Sequence, residues 1–265
     1  MINYFNYDYE NPTGKHPFSV NTEVGVAPWN PKHRLVQIGI QGRHIEANDL
    51  PPSNLVFLLD VSGSMSAHDK LPLLKKGFKL LTNQLREEDY VSIVVYAGNS
   101  GLVLPPTSGS DKETILEALN KLNASGSTAG AAGIKQAYQV AKEHFRENGN
   151  NRVILATDGD FNVGVSSNNE LTKLIKKKRD EGIFLSVLGF GSGNLKDSKM
   201  EQIADNGNGN YYYIDNLLEA KKVLVSEMGG TLHTIAKDVK IQVEFNPQNV
   251  KAYRLIGYEN RILAD

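Results

Sequence analysis

The stretch from Leu55 to Met65 reads Leu-Val-Phe-Leu-Leu-Asp-Val-Ser-Gly-Ser-Met, an apolar run that ends in an Asp-x-Ser-x-Ser turn. Such a run, bounded by turn-forming residues, is typical of a strand that is buried on both faces. A second stretch, from Val153 to Gly159, repeats the arrangement as Val-Ile-Leu-Ala-Thr-Asp-Gly. The two stretches therefore predict two buried strands, each followed at once by an aspartate.

Strand and helix patterns alternate through the middle of the chain. After the first strand, apolar residues recur at spacings of three and four from Leu71 to Leu85, which predicts an amphipathic helix. Gly101–Leu104 reads as a short edge strand stopped by two prolines, and Leu217–Ile235 as a final helix. This alternation predicts an α/β fold, with a doubly wound, mostly parallel sheet covered by helices on both faces in the Rossmann-like manner.

The two chain ends have a different pattern, in which apolar and polar residues alternate. This period of two predicts half-buried strands of an antiparallel sheet at Phe18–Glu23, Arg34–Ile40, Val239–Phe245 and Ala252–Gly257. We therefore expect residues 1–52 and 236–265 to form one small β-module, with the α/β domain, residues 53–235, inserted in it. The module is expected beneath that domain, opposite the edge that carries Asp60.

Composition excludes several classes of protein. The net charge is −1, which argues against a non-specific nucleic-acid binder. The sequence contains no apolar run of 18 residues, so no transmembrane segment is expected, and Met1–Glu10 lacks the basic and apolar regions of a signal peptide. Cysteine is absent, which excludes thiol chemistry and disulfides.

Five oxygen-bearing side chains are expected on one edge of the predicted sheet: Asp60, Ser62, Ser64, Thr128 and Asp158. The carboxyl ends of parallel strands share an edge, where loops converge and ligands bind. Thr128 lies in a flexible loop that opens a helix, and the neighbouring Ser127 offers the same hydroxyl group. Hard divalent cations prefer such oxygen donors, so the sequence predicts a site for Mg²⁺, with Mn²⁺ or Ca²⁺ also possible.

Three functions are compatible with this set. In the first, a bound cation with an open coordination position captures an Asp or Glu carboxylate of a protein partner, and no residue is catalytic. In the second, the chain is an Mg²⁺-dependent phosphatase or phosphotransfer enzyme with Asp60 as nucleophile, although Ser62 replaces the usual second aspartate. In the third, Ser62 or Ser64 is a hydrolase nucleophile, but the sequence has no Gly-x-Ser-x-Gly turn. The first function is favoured.

The arrangement resembles the von Willebrand factor type A domain, whose metal-ion-dependent adhesion site uses Asp-x-Ser-x-Ser, a Thr in a later loop and an Asp after the fourth core strand. The flanks resemble the bacterial YfbK type of this family, as in the stretches 3–7, 17–21, 153–164 and 253–258. The resemblance implies a non-enzymatic, magnesium-binding protein-interaction module. It also implies a cell-envelope, extracytoplasmic location, of lipoprotein character, and a longer full-length protein.

Overall fold

The computed structural model describes residues 7–43, 45, 49–97, 101–126, 130–159, 161, 168–191, 197–227 and 239–256. The chain divides into two units: Met1–His44 with Thr234–Asp265, and Ile45–His233. The larger unit is an α/β domain and the smaller contains an antiparallel ribbon of two strands. The predicted fold class is confirmed, whereas the exact boundaries at residues 52 and 236 stay a prediction.

The larger unit is built on a six-stranded sheet. Its strands are β3 (Ser53–Asp60), β4 (Tyr90–Tyr96), β5 (Gly101–Ser108), β6 (Asn150–Thr157), β7 (Ile183–Phe190) and β8 (Tyr211–Ile214). They lie in the order β5-β4-β3-β6-β7-β8, and all neighbours are parallel except β4 and β5, which are antiparallel. Seven of the eight residues of the central strand β3 are buried, as its apolar sequence requires.

Helices cover both faces of this sheet, because successive residues of each central strand point to opposite sides. The helices are α1 (Leu71–Gln84), α2 (Lys112–Lys121), α3 (Gly130–Glu143), α4 (Asn168–Asp180), α5 (Asp197–Asn206) and α6 (Leu217–Lys221). Leu55, Phe57 and Leu59 pack in one apolar cluster with α1, α2 and α6, while Val56 and Leu58 pack in a second with α3, α4 and α5.

The strand order reverses at β3. The chain runs from β3 to β4 on one side and later returns to place β6 on the other side. Such a reversal opens a crevice beyond the carboxyl ends of the two strands, and ligands of open α/β sheets bind there. Asp60 is the last residue of β3 and Asp158 follows the last residue of β6, so both aspartates lie at this point.

The edge strand β5 is longer than predicted. Pro105 and Pro106 do not stop it, and it continues to Ser108. The register with β4 shifts between Val91 and Ile93, which is the part of the ladder opposite the two prolines. An edge strand tolerates proline because the missing N–H groups can face away from the sheet or fall in a bulge.

The smaller unit contains β1 (Phe18–Ala27) and β2 (Asn30–Gly42), which pair antiparallel as predicted. The prediction of strands at Val239–Phe245 and Ala252–Gly257 is wrong for the described residues, which stop at Ile256: residues 239–245 and 252–256 have no strand structure. They flank a turn closed by the backbone N–H groups of Asn249 and Val250, which donate to the Asn246 carbonyl. Alternation alone does not make a strand, because a strand also needs a ladder partner.

The final helix begins at Leu217 as predicted, where the Asn216 side chain accepts a hydrogen bond from the Glu219 backbone N–H. After Lys221 the α-helical pattern gives way to a π-helical segment, Lys222–Glu227. The rest of the predicted helix, from 228 to 235, lies outside the described residues. Among the helices that the structure describes, none is both long and apolar enough to cross a membrane.

Candidate metal centre

Asp60 is held by both neighbouring strands. Its Oδ1 accepts a hydrogen bond from the backbone N–H of Ser62 at 2.8 Å. Its Oδ2 accepts one from the Tyr96 hydroxyl of β4 at 3.2 Å and a long one from the Thr157 hydroxyl of β6 at 3.5 Å. The residue is 0% exposed. The carboxylate is therefore fixed in direction by groups from three separate segments.

The Asp-x-Ser-x-Ser turn brings its two serines together. The Oγ atoms of Ser62 and Ser64 are 2.9 Å apart, with Ser62 buried and Ser64 exposed. The turn continues as a short 3₁₀ helix, Gly63–Ser66, whose Met65 is fully buried. The buried methionine anchors the turn to the core, so that the two hydroxyl groups stay at the sheet edge.

A second loop is tied to this turn by two backbone hydrogen bonds. The Ser125 N–H donates to the Val61 carbonyl at 2.7 Å, and the Gly63 N–H donates to the Gly126 carbonyl at 3.3 Å. Thr128 follows two residues later but lies outside the described residues, as does Ser127. The loop that carries the predicted threonine thus begins beside the serine turn.

Asp158 follows β6 and is nearly buried, with 4% of its side chain exposed. The ammonium group of Lys70 donates to its Oδ2 at 2.8 Å. Gly159, in the bend that follows β6, has a φ of 99°, in the left-handed region that favours glycine. The Gly159 N–H donates to the Thr157 hydroxyl at 3.2 Å, which links this turn to the group that contacts Asp60.

The two aspartates are close enough to affect each other. Burial raises the pKa of Asp60, hydrogen bonds from Ser62 and Tyr96 oppose this rise, and the charge of Asp158 adds to it. Burial and the charge of Asp60 also raise the pKa of Tyr96 well above its usual value, so its hydroxyl stays protonated and donates. The carboxylates of Asp60 and Asp158 therefore repel each other at the edge that also carries the Ser62 and Ser64 hydroxyl groups. A divalent cation bound there would relieve this repulsion.

This donor set fits a hard cation. No group of three or more His, Cys, Asp or Glu side chains suited to a metal occurs in the part of the chain that the structure describes. A site of two carboxylates completed by hydroxyl groups and water does not need such a group. The ligand roles of Asp60, Ser62, Ser64, Thr128 and Asp158 stay a prediction.

Sequence reasoning missed three contributors: Lys70, Tyr96 and Thr157. Thr157 and Tyr96 are polar residues at the ends of strands that read as apolar, and a polar group that ends a buried strand is a usable signal. Lys70 gave no signal, because its contact with Asp158 joins residues 88 positions apart.

Comparison with known protein families finds three matches along the chain. Residues 54–225 match the von Willebrand factor type A domain, and residues 230–265 match a family described as "Uncharacterized protein YfbK, C-terminal". Residues 1–37 match a family described as "von Willebrand factor".

Two curated relatives illustrate the range of similarity. The YfbK protein of Escherichia coli strain K12 is 48% identical over 270 residues, which cover 99% of this chain and 47% of that protein. Human inter-alpha-trypsin inhibitor heavy chain H3 is 27% identical over 161 residues, or 58% of this chain and 18% of that protein. The chain thus spans about half the length of the first relative, and less of the second.

Solved structures share the fold. BatB from Bacteroides thetaiotaomicron has a TM-score of 0.57 at 24% identity, covering 68% of this chain and 98% of its own. A von Willebrand factor type A protein from Catenulispora acidiphila has a TM-score of 0.60 at 18% identity, and the match covers 85% of this chain and 52% of that protein. The manganese-loaded TRAP protein of Plasmodium vivax has a TM-score of 0.51 at 22% identity, and the match covers 66% of this chain and 74% of that protein. With the type A domain matched over well more than half of its length, this chain belongs to the von Willebrand factor type A domain family, as a YfbK-like member.

Proposed function

We propose that this chain is a metal-ion-dependent protein-binding module. In this proposal, Asp60, Ser62, Ser64, Thr128 and Asp158 hold a divalent cation, with Mg²⁺ favoured and Mn²⁺ or Ca²⁺ able to replace it. The cation would supply an open coordination position for an Asp or Glu carboxylate of a protein partner. The observation that carries the proposal is the placement of the Asp60 turn beside Asp158 at the strand-order reversal.

Charge supports capture of an acidic group. Two carboxylates balance a divalent ion, and the serine hydroxyl groups add no further negative charge. An incoming carboxylate is therefore still attracted. The family assignment agrees, because type A domains are generally interaction modules rather than enzymes.

The residue two positions after Asp60 disfavours the phosphotransfer alternative. Such an enzyme would carry a second aspartate there, whereas this chain has Ser62, whose hydroxyl group contacts that of Ser64. The hydrolase alternative lacks support as well. Ser62 and Ser64 contact each other, and the hydrogen bonds described for these two serines include none to a histidine. An absence of phosphatase activity with Mg²⁺ remains an expected result of this proposal.

The extracytoplasmic, envelope-associated location is also a proposal. Its support is the similarity to an aerotolerance-related membrane protein of Bacteroides fragilis, which has a TM-score of 0.54 at 24% identity. Fractionation of the source cells, followed by detection of the protein in envelope and cytoplasmic fractions, tests it.

Thermal unfolding with Mg²⁺, Mn²⁺ or Ca²⁺ against chelator tests the metal assignment. A ligand at 100 times its dissociation constant stabilises the folded state by about 2.7 kcal/mol, so the midpoint should rise. Asp60→Asn, which keeps the size of the side chain but removes its charge, should abolish the rise. Asp180→Asn, at an exposed position of α4, is the matched control and should retain it. A wild-type protein whose midpoint responds to none of the three ions would refute the proposal.

Partner binding is tested separately, by capture of envelope proteins in Mg²⁺ and in chelator. A partner that uses its carboxylate should bind only in Mg²⁺, and the Asp60→Asn protein should not retain it. A partner retained equally in chelator would show that binding uses another surface.

A further inference from the structure

Lys70 lies in the segment between β3 and α1, which also carries the two serines of the candidate site. It precedes α1, and its backbone is fixed on both sides: its N–H donates to the Ala67 carbonyl at 3.0 Å, and its carbonyl accepts from the Leu74 N–H at 2.8 Å. Its ammonium group reaches across to β6 and donates to Asp158 Oδ2 at 2.8 Å, with 23% of the lysine side chain exposed. The contact therefore joins the first metal-binding loop to the last predicted ligand.

The path of the lysine side chain depends on Gly191 at the end of β7. A Cβ atom at this position would lie 2.7 Å from Cε of Lys70 and 2.9 Å from its Cγ, closer than carbon atoms approach. Gly191 has a φ of 93°, which also favours glycine. The aliphatic part of Lys70 thus lies directly over the backbone of residue 191, and this packing directs the ammonium group at Asp158.

The two aspartates of the site are balanced by different means. Asp60 accepts hydrogen bonds from the neutral Ser62 N–H, Tyr96 hydroxyl and Thr157 hydroxyl. Asp158 contacts a full positive charge. A divalent cation on Asp158 would therefore be repelled by Lys70 at short range, in a site too buried for water to screen the charges fully.

We propose that Lys70 is an internal competitor of the divalent cation. Its ammonium group neutralises Asp158 when no metal is bound, lowers the affinity of the site for divalent ions and so sets the ion concentration at which the site is loaded. This inference rests on the proposed function, because it takes Asp158 as a metal ligand. In this inference Lys70 does not bind the metal itself and acts only through Asp158.

Metal affinity measured by calorimetric titration with MnCl₂ and MgCl₂ tests the inference. Lys70→Met removes the charge and keeps the aliphatic length, and it should bind both ions at least fivefold more tightly, or about 1 kcal/mol. Lys70→Gln, which keeps a hydrogen-bond donor without the charge, should show the same gain. Lys70→Arg keeps the charge and should retain the wild-type affinity.

Lys178→Met is the matched control, because the Lys178 ammonium group contacts Glu181 at 2.7 Å and its side chain is 15% exposed. This pair lies where α4 ends and just before β7 begins. It is therefore at the amino end of β7, away from the carboxyl ends of the strands, where the candidate site lies. Its loss should leave metal affinity unchanged. In chelator, Lys70→Met should melt below the wild-type protein, and saturating Mg²⁺ should remove that difference.

The outcomes separate the two proposals. Wild-type protein that binds metal, together with Lys70→Met and Lys70→Gln proteins that bind it equally or more weakly, would overturn the role of Lys70 and leave the metal site in place. Folded wild-type and Lys70 variants that all fail to bind either ion would overturn the proposed function, and the role of Lys70 with it.

Discussion

The carboxylate of Asp60 is fully buried, and its orientation depends on donors from three segments of the chain. Only one of these donors, the Ser62 N–H, belongs to a residue close to Asp60 in sequence. The sequence pattern placed Asp60 at the edge of the sheet, and the structure shows that it is buried there, so its removal is expected to affect stability as well as metal binding. This is why Asp60→Asn is a better test than Asp60→Ala.

Tyr96→Phe should reduce the free energy of unfolding by about 1.5 to 3 kcal/mol. The substitution keeps the ring, which packs edge-on against the ring of Phe161 with the two ring centroids 5.3 Å apart. It removes only the hydroxyl group that donates to Asp60. A hydrogen bond to a charged group is worth about that amount. Urea unfolding in chelator measures it.

Tyr138→Phe is the control, since Tyr138 is as deeply buried but its hydroxyl group has no hydrogen-bond partner among the described residues. It should leave stability unchanged or slightly raised, because the unpaired hydroxyl group gains nothing from burial. Equal losses for the two variants would mean that the hydroxyl–Asp60 contact contributes nothing specific.

Thr128→Ala should weaken partner binding more than metal binding, if Thr128 is a ligand only in the partner-bound state. Asp158→Asn should weaken both, because its charge is needed to hold the ion. Titration with Mn²⁺, and partner binding in saturating Mn²⁺, give the two affinities for each variant. If Thr128→Ala lowered both affinities equally, its role would not depend on the partner.

At the scale of elements, α3 packs against the middle of the sheet through a residue without a side chain. A Cβ atom at Gly133 would lie 2.6 Å from Cβ of Tyr96 and 3.2 Å from Cδ1 of Leu58. The close approach buries Tyr96, and so contributes to the position of its hydroxyl group beside Asp60. The packing of one helix thus supports the chemistry of the sheet edge.

Gly133→Ala should lower the thermal midpoint in chelator. Because the 2.6 Å contact is with Cβ of Tyr96, which cannot rotate away, the cost should lie in the upper part of the about 1 to 3 kcal/mol that crowding costs in a packed core. That cost exceeds the gain of about 1 kcal/mol from replacing glycine within a helix. Gly101→Ala in β5, where no described atom lies within 4 Å of the added Cβ, should change stability by no more than about 0.5 kcal/mol. A raised midpoint for Gly133→Ala would show that α3 can move away without loss.

At the scale of the whole molecule, the two units differ in how completely they bury apolar surface. Both apolar clusters of the core consist of residues from the larger unit alone. In the smaller unit, Val20, Val24 and Val26 of the two-stranded ribbon are 57%, 68% and 55% exposed. Isolated two-stranded ribbons are marginally stable at best, so the larger unit is the part expected to fold independently.

A fragment of residues 45–233 should therefore unfold cooperatively and retain the stabilisation by divalent ions. It contains both core clusters and all five predicted ligands. Denaturant unfolding with two probes, in Mg²⁺ and in chelator, checks both points, with the full chain as control. A fragment without a cooperative transition would mean that the flanks are required for folding.

Much of the fold was predictable from sequence because it depends on local patterns. Continuous apolar runs predicted the buried strands, and alternation with amphipathic helices predicted the doubly wound sheet. The Asp-x-Ser-x-Ser turn is equally local, since Asp60, Ser62 and Ser64 lie within five residues. The C-terminal flank shows the limit of this reasoning: its alternating pattern is that of a strand, but no described segment pairs with it.

The sequence by itself therefore determined the fold class and the residue types at the sheet edge. Only the tertiary structure decided which groups balance the two aspartates. The Tyr96, Lys70 and Thr157 contacts join residues 36, 88 and 97 positions apart. No periodicity or spacing encodes such pairs, because they arise only when β3, β4 and β6 lie side by side and α1 begins at the same edge.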